Sequence, residues 1–171
     1  SQAPIREWLN YMGDNATDRE TGLPFSEVTS APYGRTPRGC ALFWTVRYMT
    51  HFAPQEAARI WERYKEYFLV NYGVVGGFRE WPEGRERKSD VDSGPIVNNI
   101  GVAATAFGIG AARAIGDWDT YNLLKFSEGV VDAYIGVSDD ADLSRAANSF
   151  LSSTIRFNSD TAPIGYDLNQ L

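Results

Sequence analysis

A nearly uncharged helix followed by an amphipathic one occurs twice in this chain, and that repetition limits the fold more than any other feature. Arg38–Phe52 carries Leu42, Phe43, Val46, Met49 and Phe52 around most of its circumference, the pattern of a helix packed on both sides. Pro54 restarts the chain, because proline suits a first helical turn, and Gln55 and Glu56 complement the helix dipole there. To about Tyr72, Ala57, Trp61, Tyr64 and Phe68 form one stripe, while Glu56, Arg59, Arg63 and Glu66 stay outside. The same events then recur. Pro95–Ile115 is nearly uncharged, Gly116-Asp117 turns the chain, and Asp117–Tyr134 is amphipathic with Asp117 as its N-cap. Arg38-Gly39-Cys40-Ala41 aligns with Ile100-Gly101-Val102-Ala103 at an offset of 62 residues. A helix buried on both faces, then one buried on a single face, is the order of an inner and an outer ring. Crowded inner helices need small residues, and Gly101, Ala104, Gly108, Ala111 and Ala112 supply them. The competing arrangement is a bundle around one Ala-rich helix. A short helix over Pro4–Met12 closed by Gly13, a third unit from Ser138 to about Ser153 and an irregular tail over Asn158–Leu171 complete the expected all-α fold.

Composition narrows the function. The net charge is −6, and the only basic cluster, Arg85–Lys88, is interrupted by Glu86. Nucleic acid and anionic membrane surfaces are therefore not expected partners. The uncharged run Gly94–Ala112 contains Pro95, Asn98, Asn99 and several glycines, too polar for a membrane span. One cysteine, Cys40, allows no internal disulfide, and one histidine, His51, allows no His-rich metal site. Neither a cofactor nor a metal is expected. Five Trp and nine Tyr favour a large core or an amphipathic, sugar-like ligand.

The chemistry is expected on two long polar loops. Gly13–Pro37 and Phe78–Gly94 both enter an inner helix, so they share one end of the molecule, and both exceed the ~2–8 residues a helix connection needs. Glu80, flanked by Phe78, Trp81 and Pro82, has the apolar setting that raises a carboxyl pKa, as a general acid requires. Asp90 and Asp92 precede Pro95, the expected start of a helix whose dipole would hold them ionised as base or nucleophile. The bland reading is that Asp92 or Ser93 caps that helix and Glu80 is solvated. Asp90-Val91-Asp92 also has the alternation of a hard-cation loop, although calcium takes ~6–8 oxygens. Trp81 is the loop aromatic suited to a ligand platform, with Arg79 beside it. Asp18, Glu20, Tyr33 and Arg35 are the first loop's candidates, Asp18 and Tyr33 for substrate binding, and Asn98 is expected in the first turn of the buried helix. Arg38 opposes its helix's dipole and so wants an anion, either Asp90 or Asp92, or an anionic substrate.

The segments Asp18-Arg19-Glu20-Thr21-Gly22-Leu23-Pro24, Arg38-Gly39, Gly77-Phe78-Arg79-Glu80-Trp81-Pro82 and Asp90-Val91-Asp92-Ser93-Gly94-Pro95 resemble the (α/α) toroid proteins. The likeness is to six-hairpin glycosidases and linalool dehydratase/isomerase-like domains, and it spans about Trp8 to Ser153. It implies a site in the central funnel, at one end of the inner helices. A complete toroid has about six hairpins, so residues 1–171 are expected to form one partial toroid domain that self-associates or meets the remainder of a larger ring. The terpene-converting members are similar to proteins with paired cysteines, whereas Cys40 stands alone. The expected function is acid–base hydrolysis of a glycan; the alternatives are dehydration or isomerisation of a small hydrophobic alcohol, and a non-catalytic binding scaffold. The expected ligand is a carbohydrate or small molecule, and the expected location periplasmic or extracellular.

Overall fold

The computed structural model describes residues 3–27, 35–97 and 99–137. The chain divides into two compact units, Ser1–Val130 and Val131–Leu171, and the first carries both long polar loops. The third helical unit and the tail expected from sequence lie outside the described residues, as do Tyr33 and Asn98.

Among the described residues five helices carry the fold: α1 (Ala3–Asn15), α2 (Gly39–Met49), α3 (Pro54–Phe68), α4 (Val102–Ile115) and α5 (Trp118–Val137). The two hairpins read from the repeat are present. α2 returns through Pro54 into α3, and α4 returns through Gly116, left-handed at φ 81°, into α5. Asp117 caps α5 as expected, accepting the Thr120 backbone N–H at 3.0 Å. α2 and α4 lie side by side. Gly39 sits against Ala104, and Phe43 stacks on Phe107 at 4.4 Å, so the two helices run in the same direction.

The all-α expectation needs correction in two places. α3 ends at Phe68, and Leu69–Asn71 (β1) pairs antiparallel with Gly76–Phe78 (β2). The helix expected from Pro95 begins only at Val102, because Ile96–Val97 (β3) and Ile100–Gly101 (β4) form a second tight hairpin. Asn99, with φ 64°, occupies the left-handed region that such turns demand and asparagine tolerates. A bridge between Arg79 and Ile100 joins the two ladders.

The core forms where β2 threads beneath α4. Gly76, Gly77 and Phe78 are all buried. A Cβ on Gly77 would lie 2.6 Å from the Ile100 side chain and 2.7 Å from Thr105 Oγ1, so only glycine lets the strand pass. The Phe78 ring stacks on Tyr64 at 4.2 Å and meets Trp61 at 5.5 Å. Fully buried, each such side chain contributes about 1.5–3 kcal/mol. Trp61 is core, as its helical spacing indicates. α2 is less enclosed than expected: Leu42, Phe43, Val46 and Met49 are buried, but Tyr48 is 55 % exposed on the face that also carries Trp44.

Candidate functional site

The site is organised by the N-terminus of α2. A helix leaves its first N–H groups without partners, and Arg38 at the N-cap has no side chain able to accept them. Glu80 does so from another segment. Its backbone carbonyl accepts the Gly39 N–H at 2.9 Å, and its carboxylate accepts the Cys40 N–H at 3.1 Å. Its other carboxylate oxygen accepts Arg38 Nε at 2.8 Å. Glu80 is thus buried and doubly engaged, and its solvated reading is set aside. Burial pushes its pKa up, against the opposing pull of Cys40 and Arg38, in the direction expected from its apolar neighbours. The Cys40 thiol is pushed far up by burial and by Glu80, which makes it a neutral packing group.

Arg38 also reaches across to Asp90 at 2.9 Å. The acid expected opposite this cation is therefore present, and Glu80 is a second one. Asp90 does not lie at a helix N-terminus, because α4 begins at Val102 rather than at Pro95. Instead Asp90 closes its own turn. One oxygen accepts the Asp92 N–H at 3.1 Å and the Ser93 N–H at 2.9 Å. Slight burial raises its pKa, but the Ser93 N–H and Arg38 outweigh this and hold it below the ordinary carboxylate range. Asp92 is exposed on the same turn and caps no helix. Among the described residues no group of three or more His, Cys, Asp or Glu side chains converges, so the Asp90–Asp92 alternation builds no cation cage there.

Trp81 is a buried ring, 6 % exposed, where an open platform was expected. The Arg38 guanidinium lies 4.6 Å and the Arg87 guanidinium 5.1 Å from its ring centroid. Asp18 is likewise structural. It holds Arg85 at 2.7 Å and the Thr21 hydroxyl at 2.7 Å, which ties the first loop to the second. Partial burial raises its pKa, and Arg85 and Thr21 lower it by more. Arg79 turns to Glu83 at 3.2 Å.

Above the Glu80–Arg38–Asp90 chain lies a cleft of about 180 Å³, lined by Ser26, Glu27, Arg38, Trp81, Arg87, Lys88 and Asp90. Both long loops contribute to it, as their shared end of the molecule requires. Of the sequence candidates it gathers Arg38, Trp81 and Asp90. Glu80 lies beneath it, and Asp92, Asp18 and Arg79 are not among its lining, so this cleft does not bring Glu80 and Asp92 together. Sequence reasoning does not reach Glu27, Arg87 and Lys88 as site residues. The interrupted basic run Arg85–Lys88 is the signal for the two cations, and Glu27 carries none.

Comparison with known proteins adds no identity. No family model, curated protein or solved structure matches the chain. Among the described residues no helix is long and apolar enough to cross a membrane.

Proposed function

We propose that this chain is part of an (α/α)-toroid protein whose loop-end cleft binds a small polar ligand of the carbohydrate class. The observation that carries the reading is the meeting of both long loops around a cleft at the α2 N-terminus, where Arg38 pairs with Glu80 and Asp90 of the second loop and Asp18 ties the first loop to Arg85. The parallel pair α2 and α4, each followed by a return helix, supports the ring architecture. At about 180 Å³ the cleft is smaller than the ~300–1,000 Å³ of drug-sized pockets, a size for one sugar ring. Its charged lining gives no support to a small hydrophobic alcohol as substrate. Titration with a panel of neutral and acidic monosaccharides, followed by tryptophan fluorescence, tests the reading. A saturable change that disappears in Trp81→Phe is expected, and no response to any member overturns it.

One observation favours hydrolysis over simple binding: Glu80 and Asp90, joined through Arg38, have pKa values moved in opposite directions. That separation suits an acid and a base. Glu80 has no solvent-exposed surface, so it acts only if Arg38 and Trp81 move aside when substrate enters. Aryl-glycoside turnover reduced at least a hundredfold in both Glu80→Gln and Asp90→Asn, with folding intact, would support this second reading. Turnover unchanged by either leaves the cleft a binding site.

A further inference from the structure

The cleft holds more hydrogen-bond donors than its own acceptors use. Arg38 is fully committed: one cation faces two carboxylates, Glu80 and Asp90. Arg87 is different. Its guanidinium lies over Trp81 and donates to the Thr36 hydroxyl at 3.2 Å, and it has no acid partner among the described residues. Lys88 has neither hydrogen bond nor ion pair among them. The indole Nε1 of Trp81 is a third donor, buried without an acceptor, in a ring more than nine-tenths buried that lines the same cleft. A buried polar group left without a partner destabilises the fold, and a ligand acceptor reaching that nitrogen would supply the missing hydrogen bond. Two acidic side chains share the lining. Asp90 is already tied to Arg38 and its own turn, and Glu27 makes no ion pair with Arg87 or Lys88.

We infer that the cleft takes the carboxylate of an acidic sugar between Arg87 and Lys88, with Trp81 Nε1 as an additional donor and Glu27 left to accept a ring hydroxyl. The inference rests on the carbohydrate reading above and specifies its ligand class. Planar guanidinium matches planar carboxylate in a two-point bond, and the ammonium adds a point charge. A sugar without a charged group could accept hydrogen bonds from these donors through its hydroxyls, but it would leave both positive charges without a counter-charge.

Calorimetric titration of the intact protein with sodium glucuronate and with glucose, at matched ionic strength, tests this. Glucuronate should bind at least tenfold more tightly than glucose, and the preference should shrink as salt rises. The Arg87→Gln/Lys88→Gln double variant should bring the ratio close to one. Lys88→Gln alone cannot disturb the Trp81 packing, and it should lower the preference by about threefold, the scale of one exposed charge pair. Equal affinity for the two sugars overturns the acidic class and leaves the carbohydrate cleft standing. A glucuronate preference untouched by the double variant overturns the assignment to these cations. Failure of both sugars to bind overturns the inference together with the reading beneath it.

Discussion

Arg38 sits where a helix opposes a cation, and the surrounding residues compensate for it. Glu80, Asp90 and the Trp81 ring face its guanidinium at 2.8 Å, 2.9 Å and 4.6 Å. Deleting it leaves the Glu80 carboxylate buried without its counter-charge, which costs about 3–5 kcal/mol in comparable buried pairs. Arg38→Ala should therefore lower urea-unfolding stability by that amount at pH 7. The sign of the pH dependence follows from Glu80. Its folded pKa is raised, so its contribution is fullest below the unfolded value of about 4.3 and declines as pH rises through the folded value. Protonated Glu80 needs no cation, so the Arg38→Ala deficit should shrink at pH 4. A deficit that grows on acidification would contradict this. The Arg38–Asp90 pair was legible because an arginine at a helix start calls for an acid. Glu80's capping role was not, because the Cys40 N–H that its carboxylate accepts lies 40 residues away along the chain. The clue was indirect: Thr36-Pro37-Arg38 puts no capping side chain at the N-cap.

Between elements, two contacts set the helix packing. Gly39 is where α2 crosses α4 and the second loop. A Cβ there would run into the Arg79 carbonyl oxygen and lie 2.6 Å from Ala104 Cβ. Because the first obstacle is backbone, Gly39→Ala should cost at least the ~1–3 kcal/mol of an overpacked site. Gly13→Ala in α1 meets nothing within 4 Å and should leave the melting midpoint unchanged or slightly raised. Asp117 joins α3 to α5, accepting Trp61 Nε1 at 2.8 Å, Lys65 Nζ at 2.8 Å and the Thr120 N–H. Partial burial raises its pKa, but Lys65, Thr120 and Trp61 outweigh that and hold it well below the ordinary range. A depressed carboxylate contributes stability above its unfolded pKa of about 3.9, and that contribution is lost as pH falls toward the folded value. Asp117→Asn should therefore cost stability at pH 7 and lose less than wild type between pH 5 and pH 2. Parallel loss in both proteins would remove Asp117 from the acid response. This cap was readable because Gly116-Asp117 is a local signal. The two strand ladders were not, because pieces of two or three residues, one of them Gly76-Gly77-Phe78, show no alternation to read. The pairing of β3 with β4 moved the start of α4 and removed the helix dipole from Asp90 and Asp92.

For the whole molecule, the repeat foretold that α2 and α4 would lie parallel, because like positions in successive hairpins carry like environments. An incomplete repeat also calls for apolar surface left outside. Tyr48, Trp118 and Phe126 are each more than half exposed, and Trp8 and Phe52 pack edge to face at the surface. A partial ring should bury such surface in a neighbour, so sedimentation velocity at micromolar concentration should show association. A single monomeric species at every concentration would count against an incomplete ring. The proposed function depends on one end of the molecule, and amide chemical-shift mapping with sodium glucuronate addresses it directly. The predicted result is a set of shifts confined to Ser26 and Glu27, Thr36–Cys40 and Glu80–Ser93, including the Trp81 indole N–H, with the turns at Thr50–Pro54 and Arg113–Trp118 unmoved. Shifts centred on those turns, shifts spread evenly over the chain, or none at all would contradict it.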